Sequence, residues 1–331
     1  MAPQSDSSDS PGVKIMRTEG TEGFQVSDTL GFLTGMTRAR QSFNVLRAHD
    51  LGAPLGACVA YGAWKNLPVI LHIHHIDRCR QPFHFIVQLY SSRIVYIITV
   101  SAFSKKQLYS ILGYPRDRIM VVPCGVDTVY YSPGSRDHVH LSNTGKNPLR
   151  LLFVGSLLKR KNIPFLFQVV SILKWKRHNV VLKIVGSGPE EELLREHIRR
   201  HDLRESITLT GAVTDREKLN LYRECDIFLS ASRMEGFGLS VAEAMSCGKP
   251  VVVAGGSALD ELVEHGRTGL VASGTDAIQF SSQVELLGDN EYLRQSIGTE
   301  ARASIVRRFN WDLTASRVAD VCRHAAHRRV V

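Results

Sequence analysis

From residue 149 onward the chain alternates between short apolar runs and stretches of helical period. The runs at 149–154, 180–185, 207–209, 226–230 and 250–253 are each followed by a helical pattern, at 164–175, 190–201, 216–223, 238–246 and 258–265. Strands that alternate with helices pair in parallel through crossovers, which puts helices on both faces of one sheet. The pattern therefore predicts an α/β, doubly wound unit. Ligands of such sheets bind beyond the carboxyl ends of the strands, where the strand order reverses. The residues just after each run are the place to look for chemistry.

The first half is less regular. Strands are expected at 43–48, 69–73, 94–100 and 119–122, with helices at 53–64 and 104–112. The stretch 83–100 is partly apolar, but Gln88, Ser91, Ser92 and Arg93 interrupt it, so it reads as a buried helix and a strand rather than a membrane span. A chain of 331 residues accommodates two cores of ordinary size. The expected division is a tail at 1–12, a first domain at 13–145, a second at 146–310 and a terminal helix with its tail at 311–331. Residues 1–12 are rich in Ser, Asp and Pro and read as disordered. They lack the basic and apolar segments of a signal peptide.

The formal net charge is +9, and the excess is spread over both halves. A nucleic-acid footprint is usually a concentrated patch, so no nucleic-acid partner is expected. A diffuse positive field suits anionic small molecules such as nucleotide sugars, or a weak peripheral contact with acidic membrane surfaces. None of the six cysteines forms a C-x-x-C pair, and none suggests a zinc framework. Most lie in apolar runs, as reduced core residues do, which favours a cytoplasmic location.

The densest motif is Ser232-Arg233-Met234-Glu235-Gly236-Phe237-Gly238-Leu239-Ser240-Val241-Ala242-Glu243. A strand, a glycine turn and a helix follow one another there, presenting free backbone N–H groups that suit a diphosphate. Glu235 stands at the turn and Glu243 inside the helix. A carboxylate accepts hydrogen bonds through two oxygens and can hold a vicinal diol, which suggests one for a sugar and one for a ribose. An exposed loop Glu and a solvated helix Glu are the plainer reading, and spacing alone does not choose.

This segment resembles the E-x7-E signature of the retaining family 4 glycosyltransferases. Other segments extend the resemblance in the family's order. Val154-Gly155-Ser156-Leu157 with Lys161-Asn162 resembles its phosphate-contacting turn and lysine, with Ser156 where the family usually has Arg. Ile184-Val185-Gly186-Ser187-Gly188-Pro189 resembles its next strand and turn, and Thr210-Gly211-Ala212-Val213 its nucleobase turn. Pro123-Cys124-Gly125-Val126-Asp127 resembles the domain junction, with Cys124 replacing Asn. The match covers roughly residues 43 to 327. It implies the GT-B fold: two Rossmann-like domains facing a cleft, with the C-terminal helix crossing back to the first. Upstream of Phe43 the chain is too short for the family's opening strand, glycine loop and second strand. That motivates an alternative function, a partner-dependent or non-catalytic nucleotide-sugar-binding subunit, and an expectation of self-association.

His72, His74 and His75 form an H-x-H-H cluster at a strand end. His72 and His74 should share one face. A metal site, ordinary packing and a family role all remain open. The resemblance aligns His74 with the family's active-site histidine and places His49 near the cleft. Gly186-Ser187-Gly188 lacks the third glycine of a dinucleotide fingerprint, which disfavours a nicotinamide oxidoreductase.

The resemblance implies retaining transfer of a sugar, UDP-linked by preference, to an acceptor hydroxyl, with no cofactor. His74, Glu235 and Lys161 would be catalytic. Gly155, Ser156, Arg160, Lys161, Gly186, Val213, Glu235, Gly236, Phe237, Gly238, Leu239 and Glu243 would bind the donor. There is no D-x-D-type acidic cluster near the motifs, so no metal ligand set is expected.

Overall fold

The computed structural model describes residues 44–49, 53–74, 87–134, 148–176 and 178–328. The tail at 1–12, the expected shortfall before Phe43, and His75 lie outside these residues. The chain divides into two compact units. The first takes residues up to Ile98, Leu108–Met120 and Asp320 onward. The second takes Thr99–Gln107 and Val121–Ala319.

The first unit holds a four-stranded sheet in the order β1 (Leu46–His49), β2 (Val69–Ile73), β3 (Ile94–Thr99), β4 (Ile119–Val121). Helices α1 (Ala53–Lys65) and α2 (Ala102–Leu112) follow β1 and β3. Every residue of β2, Val-Ile-Leu-His-Ile, is buried. Such a continuous apolar run is expected of a parallel strand covered on both faces. Leu55, Ala57, Val59 and Tyr61 of α1 share a core with Leu46, Val69, Leu71, Ile94 and Ile97. β1 and β2 are parallel, and their register sets His49 beside His72.

The second unit carries six strands: β5 (Leu149–Val154), β6 (Val180–Val185), β7 (Ile207–Gly211), β8 (Ile227–Ser230), β9 (Val251–Ala254) and β10 (Leu270–Ala272). Their order is β10-β9-β8-β5-β6-β7, parallel throughout. The order reverses between β5 and β8, so the crevice beyond those two strand ends is the expected ligand position. Alternation along each strand feeds two cores. Leu151, Phe153, Ile227, Leu229 and Val252 face one, while Leu152, Val154, Phe228, Val251 and Val253 face the other. Helices α3 (Ile163–Trp175), α4 (Glu191–Arg200), α5 (Asp215–Glu224), α6 (Leu239–Ser246), α7 (Leu259–Leu262), α8 (Ala277–Asp289) and α9 (Glu291–Arg308) cover the two faces. The last helix, α10 (Trp311–Ala326), is divided between the units at Asp320.

Two expectations need correction. The helix read at 258–265 is only the turn α7, because Val263 is extended and Gly266 takes φ +77°. A His265–Gly269 bridge then leads into β10. Gly269 packs so tightly that a Cβ there would lie 2.6 Å from the Val251 side chain. The sequence reading also omitted β10, α8 and α9. Strand β10 is only Leu-Val-Ala, too short for a period, and α9 spreads its small and charged residues without a clear apolar stripe.

Candidate active site

The turns after β5, β6 and β7 form one backbone cradle. Gly155 N–H donates to the Val185 carbonyl, and Gly186 N–H to that of Gly211. Gly186 takes φ +134°, and a Cβ on it would lie 2.0 Å from the Gly155 carbonyl oxygen, so only glycine fits. Gly155, Gly186 and the Gly211–Val213 turn are thereby brought together as the motifs anticipate.

A short 3-10 turn, Lys159–Lys161, follows the Gly155 turn. Asn162 then adopts a left-handed conformation, φ +53°, and turns the chain into α3. This geometry carries the Lys161 side chain inward, where it is only 8% exposed. Lys161 Nζ donates to Glu235 Oε1, and Arg160 lies 3.6 Å from Glu235 Oε2. Glu235 is itself 8% exposed. A backbone bond from Arg233 N–H to the Arg160 carbonyl ties the two turns together, and Ala258 N–H to the Glu235 carbonyl ties the second turn to the start of α7. Arg160 also donates to the Met234 carbonyl at 3.2 Å. The plainer readings, a solvated basic loop and an exposed loop Glu, are thus displaced for Lys161 and Glu235.

Gly238, at φ +97°, turns the chain into α6, and a Cβ there would meet Leu259 at 2.5 Å. Phe237 is buried in the core against Phe309, with ring centroids 5.5 Å apart. Its expected donor contact therefore falls to its backbone. Leu239 and Ser156 stay exposed.

Glu243 lies one turn into α6. Tyr222 Oη donates to its Oε2 at 2.7 Å, and Lys218 Nζ lies 3.6 Å from its Oε1. Both partners come from α5, whose start is fixed by a capping box between Thr214 and Glu217. Burial, then the neighbouring Glu243 charge, pushes the Tyr222 phenol well above its ordinary pKa. Burial opposes charge on Lys218, but Tyr131, Glu243 and Asp215 outweigh it and raise the Lys218 pKa. The sequence reading missed Lys218, Tyr222 and Tyr131. The Thr-x-x-Glu cap signals the start of α5, but nothing in the sequence marks its side chains as partners of Glu243.

In the first unit, His49 Nδ1 lies 3.2 Å from His74 Nε2. The His72 and His74 rings stack at 4.2 Å, on one face as expected. His72 is buried, and neither of its ring nitrogens has a hydrogen-bond partner. Burial, helped by His74, His49 and Arg47, lowers its pKa to about 2.

Cys58, Cys124, Cys225, Cys247 and Cys322 are free. Burial pushes the Cys225 and Cys247 thiols up to about 12, as inert core residues. Among the described residues no helix is long and apolar enough to cross a membrane.

Comparison with known proteins places the chain in a family. Residues 138–304 match the family described as glycosyl transferases group 1, and residues 23–130 match glycosyltransferase family 4. A D-inositol 3-phosphate glycosyltransferase of Pseudarthrobacter chlorophenolicus is 32% identical over 234 residues, 67% of this chain and 55% of that protein. The O-antigen chain mannosyltransferase B of Escherichia coli is 32% identical over 65% of this chain and 57% of its own. The chain thus spans little more than half the length of these two relatives. Among solved structures, Anabaena HepE in complex with UDP and glucose superposes with a TM-score of 0.77 at 20% identity, covering 89% of this chain and 80% of that one. The sucrose-phosphate synthase of Thermosynechococcus elongatus gives 0.76 at 18%, over 89% and 77%. Two parallel-sheet α/β units, the glycine cradle at the strand-order switch and the E-x7-E carboxylates with their partners are one consistent set, and the chain belongs to the group 1, family 4 glycosyltransferases of GT-B fold.

Proposed function

We propose that this chain transfers a glycosyl group from a nucleotide-sugar donor, UDP-linked, to an acceptor hydroxyl, with retention and without a divalent ion at the diphosphate. The observation that carries this reading is the buried Lys161–Glu235 pair, with Arg160 beside it, beyond the ends of β5 and β8. An incoming diphosphate takes over the two cations, and the released Glu235 carboxylate accepts hydrogen bonds from the donor sugar. The backbone N–H groups at Gly236–Gly238, leading into α6, add to the anion site. Glu243 holds the ribose, and the turn at Val213 meets the base through its backbone.

In the reaction the bond from the anomeric carbon to the β-phosphate oxygen breaks, and its electron pair leaves with the nucleoside diphosphate. The acceptor oxygen bonds to the anomeric carbon from the leaving-group side, and its proton passes to the departing phosphate oxygen. Negative charge grows on the diphosphate as this happens. Preorganised donors that already point at that charge lower the barrier. The resemblance gives His74 a contact with the transferred group. His49 Nδ1, 3.2 Å from His74 Nε2, would orient that ring.

One relative is named a GDP-mannose-dependent mannosyltransferase, whereas the HepE structure contains UDP. A calorimetric screen of UDP-, GDP-, ADP- and dTDP-sugars, followed by a transfer assay, tests the proposal. UDP-sugar binding with turnover that persists in EDTA is the expected result. Activity lost to EDTA and restored by Mg²⁺ or Mn²⁺ would remove the cation-based account of the diphosphate. Binding without transfer or donor hydrolysis would favour a nucleotide-sugar-binding subunit. The buried, free thiols support a cytoplasmic setting, and the net charge of +9 supports a weak attraction to acidic membranes.

A further inference from the structure

The motif at residues 123–127 leads into a turn that the donor site described above does not use. Asp127 builds it. Its side-chain Oδ1 accepts from the backbone N–H groups of Val129 at 3.1 Å and Tyr130 at 2.8 Å, and its carbonyl accepts from that of Tyr131 at 2.8 Å. An Asp that bonds the backbone two and three residues on makes such a turn locally. Val129 is left 87% exposed at the tip, while Tyr131 is buried.

The Tyr131 ring backs both partners of Glu243. Lys218 Nζ lies 5.3 Å from the ring centroid, within the range of a cation–π contact, and the Tyr222 ring meets it edge-on at 6.0 Å. These are the ammonium and the phenol that engage the two oxygens of Glu243. A lysine is flexible and loses freedom when its ammonium is held in one place. A ring already fixed behind it narrows the positions open to that ammonium.

The ring is anchored through its own backbone. The Tyr131 carbonyl accepts from Ser246 Oγ at 2.6 Å and from Arg302 Nη1 at 3.3 Å. The same guanidinium donates to the Ser246 carbonyl, and to that of Thr128 at 3.4 Å. Ser246 is the last residue of α6, the helix that carries Glu243, so its carbonyl has no partner within that helix. A guanidinium there satisfies such a group and complements the helix dipole. Arg223 of α5 donates to the Ser132 carbonyl at 2.9 Å. One turn is thus bonded to α5, to α6 and to Arg302 of α9.

We propose that Tyr131 is a positioning residue of the nucleotide-sugar site: its ring holds Lys218 and Tyr222 against Glu243, and Arg302 fixes the place of that ring relative to α6. The inference rests on the reading of Glu243 as the ribose carboxylate. Because Tyr131 acts through that carboxylate, it affects the part of the donor that every nucleotide shares and not the bond-breaking step.

The test is calorimetric titration of the full chain with UDP, beside circular dichroism and steady-state turnover. Tyr131→Leu removes the ring and should weaken UDP binding roughly three- to tenfold, the scale of a partly desolvated cation–π contact. Its kcat at saturating donor should not change. Tyr131→Phe keeps the ring and should bind UDP as the parent chain does. Arg302→Lys keeps the charge but loses the planar fork that reaches three carbonyls, and should weaken UDP binding by less than Tyr131→Leu. The deciding comparison is made on Glu243→Ala. On that background Tyr131→Leu should cost no further UDP affinity, whereas a merely structural role would cost the same again. Should Tyr131→Leu fail to fold, Arg302→Lys carries the same cycle. Full additivity with Glu243→Ala, normal UDP affinity in a folded Tyr131→Leu chain, or an equal loss in Tyr131→Phe overturns the proposal alone. Unchanged UDP affinity in Glu243→Ala by itself removes the ribose reading, and the proposal with it.

Discussion

Glu235 and Glu243 flank the same glycine turn, yet they are held in different ways. Glu235 sits in the loop after β8 and is gripped by two cations from the loop after β5. Glu243 sits in α6 and is held by a phenol and an ammonium from α5. Lys161 and Arg160 are long chains whose charges a polyanion can claim. Tyr222 is fully buried, with its ring packed against Tyr131 and Phe228 at centroid distances of 6.0 and 5.8 Å, so the oxygen it presents to Glu243 is fixed. The first carboxylate is therefore in an exchangeable pair. The second is preorganised, with one oriented oxygen committed and capacity left for a diol. The distinction predicts that the two will separate in experiments that change ligand rather than enzyme.

The largest effect should come from removing the cation of the exchangeable pair. Lys161→Ala leaves Glu235 with Arg160 alone and deprives a diphosphate of its most buried donor. Breaking a buried ion pair by deleting one partner typically costs about 3–5 kcal/mol; the lower end is expected here because Arg160 remains. Turnover should fall at least about a hundredfold, the usual scale for one preorganised donor to transition-state charge. Steady-state kinetics beside a thermal melt give both readouts. Near-normal turnover in a folded Lys161→Ala chain would mean that the pair only stabilises the loops.

The next effect compares the carboxylates themselves. Losing a hydrogen bond to a charged group costs ~1.5–3 kcal/mol, roughly ten- to a hundredfold. Glu243→Ala should weaken UDP and UDP-sugar alike by that factor, because the ribose is common to both. Glu235→Ala should spare UDP and reduce turnover of the sugar nucleotide. Calorimetry with both ligands on both variants decides it, and equal losses for free UDP would erase the proposed difference in role.

The two carboxylates also show how far the sequence can be read. The turns that carry Glu235, Glu243, Lys161 and the glycines were legible because they follow apolar runs, at the strand ends of a parallel sheet where ligands lie, but the roles expected of these side chains came from the family resemblance alone. Strands β5 to β9 were legible because both faces are covered and the runs are continuous, whereas the three-residue β10 was not. What was not legible is pairing across sequence. Lys161 reaches Glu235 over 74 positions, and its burial depends on the left-handed Asn162, a conformation that Asn tolerates but that its presence alone does not specify. Tyr222 and Lys218 look like ordinary members of a polar helix. The histidines differ again. The shared face of His72 and His74 follows from strand period, but the approach of His49 depends on which strand pairs with β2 and in what register.

The smallest effect should be the most selective. Tyr222→Phe keeps the buried ring and removes only the hydroxyl that donates to Glu243 Oε2. Glu243 retains Lys218, so the carboxylate stays in place but loses one of its two orienting contacts. A loss of roughly 0.5–1 kcal/mol, or about two- to fivefold in the Kd for UDP, is expected. Because the hydroxyl acts on the ribose carboxylate and not on the sugar, kcat at saturating donor should hardly move. A purely structural role would instead lower the melting midpoint and leave the Kd alone. The pair Tyr222→Phe and Lys218→Met should be less than additive when combined, since both act on one carboxylate. Full additivity, or a kcat effect larger than the Kd effect, would show that Glu243 is not held for the nucleotide and would break the contrast with Glu235.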